Sequence, residues 1–286
     1  MDAIPMTVAL IDNGSLEPAA TRHHRAVAAA ISSRAGVTVH AVSWKHSDRL
    51  PAAELEGTPA ITLKTFVRLH LAAGERDFVF VPFFISAQGA IGSALRADLE
   101  NLQPESASFS FVFTDGLAAR GAIAAIVAAR IRETIATRNL AIPPVIVVDH
   151  GGPSPISAAL RDALATEIRM LLGSEISTLT AASMEGAVHT HNRPLLADAL
   201  ASLSSEPTSN PVAARDIVIA PLFLSPGRHA GPDGDLAQIA RTATAATGAR
   251  THFTELVGTH PLAAATLAAA LRDTLSSLHV SLSTLA

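Results

Sequence analysis

The sequence contains no cysteine. That removes disulfides, thiolate nucleophiles, zinc knuckles and cysteine-held iron–sulfur clusters together. Aromatic residues make up only 4% of the chain, with one tryptophan and no tyrosine. A base-stacking platform for single-stranded nucleic acid would lack its usual parts. Charge is scarce too, at 16% of residues, and the formal net charge is −4 without a long Lys/Arg run. Nucleic acid and anionic membrane surfaces are therefore not expected partners. No apolar run reaches the ~20 residues that span a bilayer; the Ala-rich stretch after Gly121 is broken by Arg130 and Arg132. The opening MDAIPMTVALIDNGS carries an acidic residue where a signal peptide carries a basic one, so a cytoplasmic protein is expected.

What is present points to an α/β fold. The chain has 286 residues, 49% of them hydrophobic, enough for a sizeable core and against disorder. Short β-rich runs fall at TVALI (7–11), VTVHAV (37–42), FVFVPFF (78–84) and SFSFVF (108–113), then at VIVVD (145–149), ISTLTAA (176–182), DIVIAPLFL (216–224) and THF (251–253). Several are continuously apolar, as in strands covered on both faces of a parallel sheet. Segments of helical length lie between them, including 19–33, 121–137, 156–172 and 261–277. Such alternation predicts βαβ units with right-handed crossovers.

The two halves resemble each other. LIDNGSLEP parallels VVDHGGPSP, VPFFIS parallels APLFLS, and VFTDGLAARGAIAA parallels HFTELVGTHPLAAA, at offsets of 137 to 140 residues. Three matches in one order at nearly constant spacing indicate an internal repeat. The expectation is two similar flavodoxin-like lobes, 1–138 and 144–286, each a four-stranded parallel sheet with helices on both faces and a cleft between the lobes. One chain would then build the whole cleft, so a monomer is expected.

Ligands of open α/β sheets bind beyond the carboxyl ends of the strands. The loops to inspect are 13–18, 44–49 and 87–92 in the first lobe, and 150–155, 185–193 and 226–235 in the second. Three second-lobe loops carry His150, Glu185 and His229. A lone loop histidine is usually just solvated. Two imidazoles and a carboxylate on convergent loops, however, suit a borderline divalent metal such as Co²⁺, Fe²⁺, Ni²⁺ or Zn²⁺. The first lobe has Asn13, Ala90 and approximately Lys45 at the matching places, so the scaffold persists while the metal-capable groups are gone.

DHGGPSP, the strand-end Glu185, APLFLSPGRHAGPDGDL and ELVGTHPLAAATLAAAL together resemble the sirohydrochlorin cobaltochelatase/ferrochelatase family, among the class II chelatases. The likeness covers the second lobe almost end to end and the first as scaffold. HGG stands where the family has an HGS-like loop. The resemblance implies insertion of a divalent metal (Co²⁺ or Fe²⁺, or Ni²⁺) as substrate into a tetrapyrrole, with release of two pyrrole protons and without ATP. It implies His150 and His229 as the metal pair and Glu185 as the carboxylate that assists metal delivery or takes a proton. A substrate rich in carboxylates would need a local basic rim on an acidic protein, for which Arg228, Arg193 and Lys45 are candidates; a solvated surface lysine is an equal reading of Lys45.

Other histidines carry less. His189 and His191 are either further ligands near Glu185 or a solvated pair, and His23 and His24 are expected on an exposed helix face. His260 is expected to begin the last helix with Pro261, Thr259 serving as its N-cap. Asp233 and Asp235 either orient His229 or cap a helix. No dinucleotide or P-loop fingerprint is present, since GAIGSA lacks the Lys-Ser/Thr, and Ser154 has no G-x-S-x-G context. No nucleotide cofactor is expected. A metal or tetrapyrrole carrier using the same ligands without turnover, or a chelatase fold kept as an interaction module, are the alternative functions.

Overall fold

The computed structural model describes residues 6–85, 90–103, 108–205 and 215–284. Part of the 87–92 loop singled out in the sequence lies outside them. Among the described residues the strands are β1 (Thr7–Asp12), β2 (Val39–Ser43), β3 (Asp77–Pro82) and β4 (Ser110–Phe113), then β5 (Val145–Asp149), β6 (Leu179–Ser183), β7 (Asp216–Pro221) and β8 (Arg250–Phe253). The helices are α1 (Pro18–Ala35), α2 (Leu63–Ala72), α3 (Ala90–Leu102), α4 (Ala122–Arg138), α5 (Pro155–Leu172), α6 (Leu196–Ser205), α7 (Asp235–Thr244) and α8 (Pro261–Thr284).

They form two four-stranded sheets of the same order, β2-β1-β3-β4 and β6-β5-β7-β8, parallel throughout. This is the expected fold class. Pleating explains the continuous apolar runs. In the first sheet Ala9, Ile11, Phe78 and Phe80 face a core with Leu63, Phe66 and Val67 of α2 and Leu95 and Leu99 of α3. Val8, Leu10, Val79 and Val81 alternate with them and are also fully buried. The second sheet repeats this, with Ile146, Val148, Ile217 and Ile219 against Leu196 and Leu200 of α6 and Leu236 of α7. Pro18, Pro155 and Pro261 each open a helix, where the missing N–H costs nothing and φ is already set.

The chain divides into compact units 1–122 with 261–286, and 123–260. The repeat halves and the compact units are thus different divisions. Each half ends in a helix that belongs to the other half's unit. Within the first unit α8 lies along α1, Arg272 donating to the Arg34 carbonyl at 2.7 Å and Asp273 pairing with Arg120 at 2.7 Å. Within the second, Arg132 of α4 grips Glu175 at 2.7 Å and the Leu171 carbonyl at 2.7 Å. No helix among the described residues is long and apolar enough to cross a membrane.

Two sequence expectations are corrected here. His24 is not on an exposed face: it is 1% exposed, and its ring lies parallel to Phe83 with centroids 6.0 Å apart. Residues Ala20, His24, Val27, Ala28 and Ile31 form the buried stripe of α1, so helical spacing carries the histidine inward. Thr259 does not cap α8. It ends a short turn, Val257–Thr259, where its hydroxyl donates to the Leu256 carbonyl at 2.8 Å and accepts from Arg130 at 2.9 Å.

Burial lowers the His24 pKa, outweighing the raising effects of Asp12 and the Leu10 backbone; Arg25 adds to the lowering. Its Nε2 has no hydrogen-bond partner, so the folded chain holds the ring neutral. The unfolded chain takes up this proton near the ordinary value of about 6.5. The contribution to stability is therefore present above that pH and lost as the pH falls through it. His24→Leu should flatten the fall in the urea midpoint between about pH 7 and about pH 5. Equal slopes in the two proteins would refute this account of His24.

Candidate functional site

In the second sheet the chain turns from one side to the other between β5 and β7. A crevice opens at such a switch point beyond the carboxyl ends. His150 follows β5 directly, and His229 lies on the loop from β7 to α7. Their rings meet edge to face with centroids 4.8 Å apart, and Phe223 sits 6.5 Å from each.

Hydrogen bonds fix both tautomers. The His150 Nδ1–H donates to the Gly151 carbonyl at 2.9 Å. The His229 Nδ1–H donates to the Asp235 carboxylate at 2.6 Å. In each ring Nδ1 is thus taken up, and Nε2 is the nitrogen left to meet a metal. Of the two aspartates following His229, Asp235 orients it and also opens α7, where its charge suits the helix N-terminus. Asp233 is instead 3.7 Å from Arg241 and nearly fully exposed.

Glu185 enters through its backbone. Its N–H donates to the His150 carbonyl at 3.1 Å, and Met184 N–H donates to Asp149 at 2.8 Å, zipping the loops after β5 and β6 together. That approach requires Gly151, which has φ +81°; a Cβ there would collide with the Glu185 carbonyl oxygen. The Glu185 Oε1 lies 3.5 Å from His150 Nδ1. The structure therefore brings His150, His229 and Glu185 to one crevice as an open pair with a neighbouring carboxylate. Among the described residues no group of three or more His, Cys, Asp or Glu side chains is placed to hold a metal ion, so Glu185 does not complete a three-ligand site with the two histidines.

His191 does not reach toward the pair. Its Nε2–H donates to the Gly152 carbonyl at 2.9 Å, and the buried Asn192 amide donates to the same carbonyl at 3.1 Å and to Gly186 at 3.0 Å. His189 stacks on His191 with centroids 5.3 Å apart. The candidate rim cations have acidic neighbours. Arg193 pairs with Asp198 at 2.9 Å, and Arg228, the most exposed, stands 3.8 Å from Asp235. Lys45 lies 3.9 Å over the Trp44 ring and 3.9 Å from Asp98.

The sequence reading missed Arg161. It is 2% exposed, donates to the Ser183 hydroxyl at 2.5 Å and to the His191 carbonyl at 3.0 Å, and lies 3.7 Å from Asp149. Ser183 in turn donates to Asp149 at 2.5 Å. Burial raises the Asp149 pKa, against the lowering effects of Ser183 and Arg161. This network lies directly behind His150 and Glu185. A cation on the buried stripe of α5 was the available signal, because Ala158, Arg161, Leu164, Ala165 and Ile168 share that spacing.

The fold and site define a two-lobed α/β protein with an open imidazole pair at a sheet switch point. Residues 144–274 match the CbiX family model. No curated protein matches the chain. Among solved structures it is similar to SirB from Bacillus subtilis with Fe³⁺, at TM-score 0.69 and 11% identity over 96% of this chain and 97% of that one. It is also similar to the sirohydrochlorin chelatase SirB from Bacillus subtilis subspecies spizizenii in complex with cobalt (TM-score 0.63, 12% identity, 95% of each chain). CbiX, the terminal enzyme for biosynthesis of siroheme in denitrifying bacteria, matches at TM-score 0.62 and 15% identity over 94% of this chain and 98% of that one. At such identities the likeness is one of fold.

Proposed function

We propose that the protein inserts a divalent metal, Co²⁺ or Fe²⁺ or else Ni²⁺, into a sirohydrochlorin-type tetrapyrrole. The observation that carries this reading is the pair of edge-to-face imidazoles at the β5–β7 switch point, each with its Nδ1 taken up by a hydrogen bond, inside the segment that matches CbiX. The fold's likeness to SirB structures holding Fe³⁺ and cobalt supports the metal class. The metal is a substrate here, so it must arrive and leave. Two neutral ligands with an open coordination sphere hold it loosely enough to be handed on, where a closed cage would retain it.

In the reaction, His150 and His229 bind the ion through Nε2. The ring nitrogens of the macrocycle replace them as ligands, and two pyrrole protons leave as the two nitrogen–metal bonds form. Glu185, close to His150 and more than half exposed, takes the two protons in turn and releases each to water. No nucleotide enters. Arg228 and Arg193, on loops of the same lobe, meet carboxylates of the substrate. We read the first lobe as a duplicate of the second that kept the scaffold and lost the metal ligands.

The test is anaerobic absorbance of sirohydrochlorin metallation with Co²⁺, Fe²⁺ and Ni²⁺ in turn. A rate at least tenfold above the protein-free blank is expected for one or more of these ions. A rate equal to the blank with every ion, alongside stoichiometric binding of metal or tetrapyrrole, would replace the enzyme by a carrier.

A further inference from the structure

The two imidazoles are oriented by different means. Asp235 grips the His229 ring directly, whereas the His150 Nδ1–H donates to the Gly151 carbonyl at 2.9 Å. That carbonyl and the Gly152 N–H belong to one planar peptide unit. Whatever fixes the tilt of this plane therefore fixes the hydrogen bond that holds the His150 ring. The Gly152 N–H donates to the Asn192 Oδ1 at 3.4 Å, so a side chain 40 residues away holds the plane by its other edge.

Asn192 holds more than this plane. Its Nδ2 donates to the Gly152 carbonyl at 3.1 Å and to the carbonyl of Gly186, the residue after Glu185, at 3.0 Å. Two carbonyls on one side and an N–H on the other decide which way the carboxamide points. An aspartate would set a carboxylate against both carbonyls. Asn192 is 1% exposed, and Gly186, at φ +86°, leaves it the space: a Cβ there would collide with Nδ2. His191 adds a second donor to the Gly152 carbonyl at 2.9 Å. The first lobe supplies a comparison. Its matching turn, Asn13–Ser15, carries no imidazole, and the Ser15 N–H is held at 3.1 Å by the hydroxyl of buried Ser47. That hydroxyl has one proton and donates it to Ser43, so none is left for a carbonyl of the turn. The carboxamide clamp belongs to the turn that carries His150.

We propose that Asn192 is a positioning residue of the imidazole site. It holds the peptide plane behind His150 and the turn after Glu185 in one register, and so sets where the His150 Nε2 stands relative to His229. The assignment rests on the function proposed above, and it needs no contact between Asn192 and the ion. Orienting partners of metal-binding histidines cost about ten- to a hundredfold in metal affinity or rate when they are lost.

The experiment compares wild type, Asn192→Ala, His191→Ala and Ser47→Ala. Each is titrated with Co²⁺ alone, read from the visible spectrum of the bound ion, and then assayed for initial rates of sirohydrochlorin metallation. Asn192→Ala should weaken Co²⁺ binding about tenfold, alter the cobalt spectrum and lower kcat about ten- to a hundredfold, with KM for the tetrapyrrole within about twofold of wild type. His191→Ala removes one of the two donors to the Gly152 carbonyl from a half-buried site, and should weaken Co²⁺ binding about threefold. Ser47→Ala removes the matching support from the first lobe and should leave the cobalt spectrum unchanged, which separates positioning from a general loss of stability. A folded Asn192→Ala with the wild-type cobalt spectrum and kcat would overturn the assignment and leave the chelatase reading standing. An equal spectral change in Ser47→Ala would overturn it too. If Asn192→Ala does not fold, His191→Ala decides, and an unchanged Co²⁺ affinity there counts against the clamp. Asn192-dependent Co²⁺ binding without metallation by wild type would keep the positioning role and remove the chelatase reading. Absence of Co²⁺ binding together with absence of metallation by any of the three ions would refute both.

Discussion

Replacing both imidazoles, in His150→Ala/His229→Ala, is expected to lower the metallation rate at least ~10³-fold while the protein stays folded. The rate effect is large because, among the described residues, these rings are the imidazoles that the geometry brings together at the switch point. Losing both removes several kcal/mol of metal coordination, and each ~1.4 kcal/mol is a factor of ten. The fold should survive because the side chains are 47% and 34% exposed, so truncation opens no core cavity. The two single variants should each cost nearly as much as the double one, since the residues act on one ion as a unit. The measurement is single-turnover absorbance at saturating tetrapyrrole, with circular dichroism to confirm folding. Retention of more than a tenth of the wild-type rate would move the metal away from this pair.

Much of this architecture was legible in the sequence because buried parallel strands announce themselves. TVALI and VIVVD are apolar without alternation, and both prove to be central strands covered on two faces. The strand-end rule then led to His150, Glu185 and His229 without any coordinate. Four helices were less visible. Segments α2, α3, α6 and α7 are each only 10 to 13 residues long, and α7 carries few large apolar side chains to mark a period. The exchange of the last helices between compact units leaves no local signal, since α4 and α8 would read the same whichever sheet they served. Polar residues inside helical stripes escaped for another reason. His24 and Arg161 stand at matching places in α1 and α5, and a count of hydrophobic residues assigns both to solvent. Only the spacing of their neighbours turns them inward; Arg161 has the Asp149 carboxylate beside it, whereas His24 is accommodated as a neutral ring.

That pairing makes Arg161→Met the most destabilising single substitution expected in the second lobe, at about 3–5 kcal/mol. Methionine matches the stem in volume, so packing is largely kept and the cost is electrostatic. Asp149 is left mostly buried, with the Ser183 hydroxyl but without its cation. Ser183 loses a donor, and the His191 carbonyl loses another. The deficit carries its own pH signature. Burial already raises the Asp149 pKa, and removing Arg161 removes a lowering influence, so the folded carboxyl takes up a proton more readily than the unfolded one. A group whose folded pKa is raised stabilises below its unfolded value and loses that contribution as the pH climbs. The gap between variant and wild type should therefore be widest at neutral pH and narrow toward about pH 4. Adding Asp149→Asn should recover about half or more of the loss, because breaking an ion pair costs more than dispensing with both charges. Urea denaturation of the four proteins of this cycle at two pH values measures each quantity. Equal deficits at both pH values, or no recovery in the double variant, would mean that Arg161 acts through packing alone. Activity supplies a separate readout: Asp149 and Ser183 lead directly into His150 and the Glu185 loop, so molecules of the variant that remain folded should metallate more slowly, with kcat falling further than the affinity for tetrapyrrole.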